Sequence, residues 1–346
     1  MAPRLQARVQ VTNGGTTFGS PGSEVVEGAG TFDSLSPVPV RGDGLDEVRI
    51  SFSVTKTLDP APNTAEVTLW NLSQERIDQI CGTVRKRIAF SPEEKLQLEQ
   101  AGASSTPIEQ VYDNAGIAAI RLSWGYEAGA LSVGFIGGST NITEETDGRD
   151  SRLVIKAEDG GPFLGAGRLK RYYRGGTDTV VIIRDLVQSC GLTVDEDRLR
   201  FAMQQSLISR GIAVGDLTQL TGYNAATTPA ADQIRAVMDS LQIRWSVQDG
   251  EFLVLDGTST LAGFEPLVLS AADFTLFGSP KRLEAQQLEA RTWANAEARP
   301  GRKVIVDALD LETNYRIDTM KTTGDTYSGG ETVLTLDALQ VIPGIV

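Results

Sequence analysis

Between Val48 and Leu69 the apolar side chains fall on every second residue, and two prolines break the run once. Val48, Ile50, Phe52 and Val54 alternate with Arg49, Ser51, Ser53 and Thr55, and Ala65, Val67 and Leu69 resume the pattern after the stretch KTLDPAPN. A period of two sets one face of each run against a core and the other against water, which describes a half-buried strand and not a helix. Pro60 and Pro62 have no amide hydrogen to give a sheet ladder, so they belong to the connection. Asn63 suits a turn because its side chain bonds nearby backbone. The stretch therefore reads as a long β-hairpin, and any fold of this chain must supply a sheet around it.

Similar signals divide the chain. Up to about residue 170 it is strand-rich: Ile117 to Trp124, Leu131 to Ile136 and Arg152 to Ala157 are strand candidates, and Asp147-Gly148 is a hairpin signal. Ser73 with Glu75 starts a short helix that ends near Cys81-Gly82. Ser91-Pro92-Glu93-Glu94 opens a second helix inside a polar insertion, 83–112. From about 171 to 256 the character changes. Val180, Ile183 and Val187 share a helical face that Gly191 ends, and Ile234, Val237, Met238 and Leu241 repeat that spacing. Two alternating runs from Ile243 to Asp256 flank Asp249-Gly250, which suits a type I′ turn. From 257 to 346 strands return at Val304–Val306, Tyr315–Met320 and Val333–Leu336, whereas the alanine- and glutamate-rich Lys281–Ala298 reads as a helix.

With 346 residues the chain exceeds one ordinary domain. Its 36 glycines fit turn-rich β structure. The balance of 32 basic against 45 acidic residues, net −13, disfavours a direct grip on nucleic-acid phosphates. Arg168, Lys170, Arg171 and Arg174 form a local basic cluster, read as a solvated loop. No leader-like apolar segment opens the sequence, and its apolar runs are too short to span a bilayer as a helix. Cys81 and Cys190 each read as a small buried side chain beside a helix-ending glycine, with a disulfide between them left open.

Catalytic machinery is hard to find. The chain has no histidine, which removes the commonest general base and the Ser-His and Cys-His nucleophile pairs. GGPFLGAG, 160–167, lacks the Lys-Ser/Thr of a phosphate loop and reads as a linker. Asp195-Glu196-Asp197 lacks the spacing of a calcium loop and reads as a solvated turn. Glu144, Glu145 and Asp147 are close in sequence, but an acid pair needs a cleft that sequence does not show. Trp70, Trp124, Trp245 and Trp293 are scattered and read as core or interface anchors.

The order of these motifs carries a resemblance. Lys56 to Ser73, with Pro62, Asn63, Ala65, Val67, Asn71, Leu72 and Ser73 and with Trp70 in the aromatic slot, resembles the first β domain of phage tail hub proteins, the baseplate-centre family of contractile-type tails. Colinear with it, Trp124–Tyr126, Gly134–Ile142, Leu153–Gly161, Ala298–Val306 and Asn314–Thr326 resemble later strands of that family, and the helix ending at Gly191 and the unit at 231–255 resemble its middle module. The insertion at 83–112 departs from the pattern.

The resemblance implies a mainly β chain with α+β character, in which two tail-tube-like β-barrel domains, 1–170 and 257–346, flank a small α/β module at 171–256. It implies a non-enzymatic homotrimer that adapts a six-fold tail tube to a three-fold central spike and lines the channel, with no catalytic, cofactor or metal site. Its partners would be other copies of itself, the tail tube or a distal tail protein, the spike, and the tape-measure and baseplate wedge proteins, at the tip of a virion tail. Leu58, Pro60, Pro62 and Asn63 would form a hairpin at a subunit interface, a reading weighed equally against a turn that serves only the chain itself. Three alternatives stay open: a six-fold adaptor with one barrel per chain, a cell-wall-degrading tail enzyme, and a free β-rich binding protein.

Overall fold

In the computed structural model the described residues are 5–12, 30–33, 37–39, 45–72, 77, 80, 85–87, 109–111, 118–126, 131–147, 150–159, 167–209, 223–225, 228–241, 243–255, 260–261, 264–284, 286–308 and 313–339. The first part carries β1 (Gln6–Thr12), β2 (Gly30–Asp33), β3 (Pro37–Pro39), β4 (Leu45–Glu47), β5 (Ile50–Thr57), β6 (Asn63–Trp70), β7 (Arg85–Arg87), β8 (Glu109–Val111), β9 (Ala119–Gly125), β10 (Ser132–Asp147) and β11 (Asp150–Asp159). The middle part carries β12 (Tyr172–Tyr173), α1 (Thr179–Ser189), β13 (Thr193–Val194), α2 (Glu196–Ser209), β14 (Tyr223–Asn224), α3 (Ala230–Ser240), β15 (Arg244–Gln248) and β16 (Glu251–Leu255). The last part carries β17 (Leu267–Ser270), β18 (Lys281–Arg282), β19 (Gln287–Trp293), β20 (Lys303–Asp307), β21 (Thr313–Asp325) and β22 (Gly329–Ala338).

The chain is mainly β, and its first and last parts share one sheet. The ladder order is β18-β19-β22-β21-β5-β6-β11-β10-β9-β1-β2, with β20 and β17 branching from β21. β21 makes both links on one edge: its first residues pair with β20, and Thr319–Asp325 pair antiparallel with Thr57–Ser51 of β5. β5 and β6 form the expected hairpin, with Ile50, Phe52, Val54, Ala65, Val67 and Leu69 buried.

Each part has its own apolar core. Val9, Ile50, Val67, Ile120, Trp124 and Phe135 belong to the first, and Val304, Ile317, Leu334 and Leu336 to the last. In the middle part α1, α2 and α3 pack with β15 and β16 around Ile183, Met203, Ile234, Trp245 and Phe252. Close packing asks for glycine at two contacts. A Cβ on Gly134, at a bulge in β10, would lie 1.9 Å from the Trp124 ring. One on Gly324 of β21 would lie 2.4 Å from the ring of Phe52, its partner across the ladder.

Several expectations need correction. Lys281–Ala298 is no helix: Leu288, Ala290 and Thr292 alternate inward from β19, which pairs with β22 along its length. There the period of two and a waiting sheet edge outweigh the helix propensity of alanine and glutamate. Asp195-Glu196-Asp197 is not a free turn but the start of α2, where the Asp195 carboxylate accepts from the Arg198 N–H at 3.0 Å. Leu131–Ile136 is only the start of β10, which runs on to Asp147 and pairs with both β9 and β11.

α1 ends as expected, with Gly191 at φ 72°. Asp249 (φ 55°) and Gly250 (φ 83°) have the two positive φ values of a type I′ turn. Cys190 is buried and free. Cys81, the helix start at Ser91–Glu94 and most of the 160–167 glycine stretch lie outside the described residues; within 83–112 the structure describes an antiparallel pairing of β7 with β8. Of the short helix after Ser73, Ile77 and Ile80 are described, both helical and buried.

Candidate functional site

The turn of the opening hairpin lies where the three parts meet. Leu58 is 2% exposed and packs with Leu253 and Leu255 of β16 and with Leu261. Its N–H donates to the Asp318 carbonyl of β21 at 3.0 Å. Asn63 is 1% exposed. Its Oδ1 accepts from the Thr57 N–H at 2.9 Å, which closes the turn, and its Nδ2 donates to the Val247 carbonyl of β15 at 2.6 Å. Pro60 is half-buried, whereas Asp59, Ala61 and Pro62 are exposed. Of the four predicted residues, Leu58 and Asn63 therefore make contacts within the chain, Pro60 is half-buried, and Pro62 faces solvent at the tip.

Beneath the turn lies a buried charge cluster. Lys56 holds an inward position of β5, is fully buried, and reaches both carboxylate oxygens of Asp249 at 3.0 and 3.1 Å. Asp249 also accepts from the Ile136 N–H of β10 at 3.2 Å and lies 3.5 Å from Arg299 of the last part. Asp159, the final residue of β11, accepts from the N–H groups of Asp249 and Gly250 and from Asn63 Nδ2. The tip of the middle hairpin is thus plugged into the end of the first part. Burial, reinforced by the Asp249 carboxylate, pushes the Asp159 carboxyl up to about 7, against the pull of Lys56 and the two backbone N–H groups.

A second ionic joint lies at the other end of β15. Arg244 pairs with Asp59 of the hairpin turn at 3.2 Å, Asp318 of β21 at 2.7 Å and Asp337 of β22 at 3.5 Å. Burial raises the Asp318 carboxyl, and Arg244 opposes the rise.

Chemically the site is a joint. The buried Asp159 and the half-buried Asp249 carboxylates already accept from backbone donors, and Lys56 is committed to Asp249. Among the described residues no group of three metal-binding side chains gathers anywhere, and no helix is long and apolar enough to cross a membrane. Of the acids noted in the sequence, Glu145 spends itself on Arg152 at 2.7 Å on the surface of the β10–β11 ladder.

Sequence reasoning overlooked Lys56, although a signal was there: it continues the inward series Ile50, Phe52, Val54 in β5. In the sequence Asp249 marks only a turn and Asp159 only part of a strand-ending motif, and nothing local joins them to Lys56, since Lys56 and Asp249 are 193 residues apart in the chain.

No family model matches the chain, and no curated protein matches it. Solved structures do. The fold is similar to that of the tail protein from Neisseria meningitidis MC58, at 8% identity and TM-score 0.50 over 96% of both chains. It is also similar to a chain of the Francisella PdpA-VgrG complex, at 9% identity and TM-score 0.52, covering 99% of this chain and 59% of that one. The 43 kDa tail protein of prophage MuSo2 from Shewanella oneidensis aligns at 10% identity and TM-score 0.48, over 84% of this chain and 97% of that one. The resemblance to tail hub proteins seen in the sequence is therefore borne out at the level of the fold.

Proposed function

We propose that the chain is a structural hub of a phage-type tail baseplate, and that it works as a homotrimer joining a six-fold tail tube to a three-fold central spike. The observation that carries this reading is the β5·β21 ladder, seven residue pairs from Thr319↔Thr57 to Asp325↔Ser51. It joins the two β assemblies edge to edge within one chain. Three chains would then offer six such assemblies to a six-fold ring, a closed symmetry that uses up edge strands otherwise open to aggregation. In this reading residues 1–170 and 257–346 are the two tube-like barrels and 171–256 is the module that braces them, held by the Asp249 and Arg244 joints.

The outward face across the ladder carries Ser51, Ser53, Thr55 and Thr57 from β5 and Thr319, Lys321, Thr323 and Asp325 from β21, with Asp325 paired to Arg49. Six of these eight side chains are short hydroxyls and Asp325 is already neutralised by Arg49, which suits a channel wall along which a polymer slides, and we take this face as that wall. The exposed tip at Ala61 and Pro62 is the part of the predicted hairpin left to meet a neighbouring subunit or the tube. The partners are the tail tube or distal tail protein, the spike, and the tape-measure and wedge proteins; the place of action is the virion tail tip, and no catalysis is involved.

The test is negative-stain imaging of purified protein with solution mass measured in parallel. A three-fold ring with a central hole at the mass of three chains is expected. A six-fold ring would replace the hub with a tube adaptor. Loss of turbidity when the protein meets bacterial cell walls would replace it with an enzyme.

A further inference from the structure

The basic residues read from sequence as a solvated loop, Arg168, Lys170, Arg171 and Arg174, are exposed and flank a two-residue strand, β12. Tyr172 and Tyr173 of β12 pair antiparallel with Asn224 and Tyr223 of β14, and the Ala225 N–H donates to the Arg171 carbonyl at 2.9 Å. In an antiparallel ladder, residues bonded to the partner strand alternate with residues whose N–H and C=O point the other way. Arg171 and Tyr173 share the bonded register, so the backbone of Tyr172 points away from β14.

The side chains alternate as well. Tyr173 is buried, and its hydroxyl donates to Asp185 of α1 at 2.8 Å. Arg171 donates to the same carboxylate at 2.6 Å and lies over the Tyr173 ring. These two residues fasten the strand to α1. Tyr172 faces away from Tyr173 and is 66% exposed, and the flanking Lys170 and Arg174 are exposed as well. The Arg174 carbonyl accepts from the Thr177 N–H and hydroxyl, which fixes the end of the segment. Among the described residues neither Lys170 nor Arg174 makes an ion pair.

We infer that this edge binds an extended acidic segment of a partner protein, which adds as a strand beside Tyr172 and sets carboxylates against Lys170 and Arg174. Charge complementarity points to an acidic partner, and the outward backbone groups point to a peptide, because a ladder edge recognises another peptide backbone. A nucleic acid fits less well. Lys170 and Arg174 offer few phosphate contacts on a chain whose net charge is −13. The exposed Tyr172 ring supplies a rigid apolar anchor between the two charges. This inference is independent of the hub reading.

The experiment is fluorescence anisotropy on the full chain with a labelled short peptide that alternates glutamate and threonine. Two comparison probes are the same peptide with alternate backbone nitrogens methylated, and oligothymidylate. Binding of the unmodified peptide should weaken about tenfold at high salt and by a similar factor in the K170E/R174E variant, checked as folded by circular dichroism. N-methylation should weaken it comparably, since it removes the ladder donors. The milder K170Q/R174Q pair serves if the charge reversal disturbs folding. Failure of the peptide to bind, indifference to the substitutions, indifference to N-methylation, or tighter binding of oligothymidylate would each overturn the inference.

Discussion

Lys56 shows how a single side chain ties two parts of the chain together. An ammonium group that is fully buried is tolerated only with its charge matched, and here the match comes from Asp249, which the fold brings in from the middle part. Replacing Lys56 with Met keeps the apolar stem but leaves the carboxylates of Asp249 and Asp159 without their buried cation. The expected cost is about 3 kcal/mol in urea unfolding, and adding Asp159→Asn should recover part of it. A loss below about 1 kcal/mol would mean that the cluster is solvated. The same site fixes a pH dependence. The Asp159 carboxyl titrates near 3.8 in an unfolded chain and near about 7 in the fold. Between those values the folded state keeps a proton that the unfolded state has released, so the contribution of Asp159 to stability is largest at acid pH and falls as pH rises towards about 7. Urea midpoints across this range should fall more for the native chain than for Asp159→Asn; parallel curves would remove Asp159 as the cause.

At the scale of elements, β21 carries the most consequence, since its one edge serves both β20 and β5. The contact with β5 depends on Gly324, over which the Phe52 ring lies. Gly324→Ala should destabilise by about 2 kcal/mol through overpacking, and Phe52→Leu in the same chain should relieve part of that cost; additive losses in thermal melts would contradict the contact. β15 offers a second test, because Arg244 at its start bridges carboxylates from the first and last parts. Arg244→Ala should speed amide exchange in β15 and β16, and α1, which shares their apolar core, should follow; unchanged exchange in the two strands would mean that the joint holds nothing. At this scale the sequence was readable where burial has a clear period. β5, β6, α1 and the β15–β16 turn follow from alternation, helical spacing and the Asp-Gly pair. β19 was misread because its composition favours a helix while its alternation fits a strand, and only the β22 edge decides between them. α2 was missed because its apolar spacing is weak, with Phe201 and Ile208 facing solvent and Leu199, Met203 and Leu207 facing the core.

For the whole molecule, a sheet shared by the first and last parts makes their unfolding a single event. Losing β21 strips β5 of a ladder partner, so exchange protection in β5–β6 and in β21–β22 should collapse at the same denaturant concentration. Separate collapse of residues 257–346 would show that the β5·β21 ladder contributes little to cooperativity. The middle part, with its own core, is free to differ.

Local chemistry determined much of this protein. The proline-bounded hairpin, the β-rich ends around a helical middle and the type I′ turn were written in local residue patterns, because strand and helix faces are set by periods of two and of 3.6 residues and tight turns by Asp-Gly pairs. The tertiary structure alone decided that the ends form one sheet, that Leu58 and Asn63 of the hairpin turn inward, and that Lys56, Asp159 and Asp249 meet in the dark beneath it. Those facts concern pairs of residues far apart in the chain, and a backbone edge or a buried charge carries no mark in sequence that names its partner.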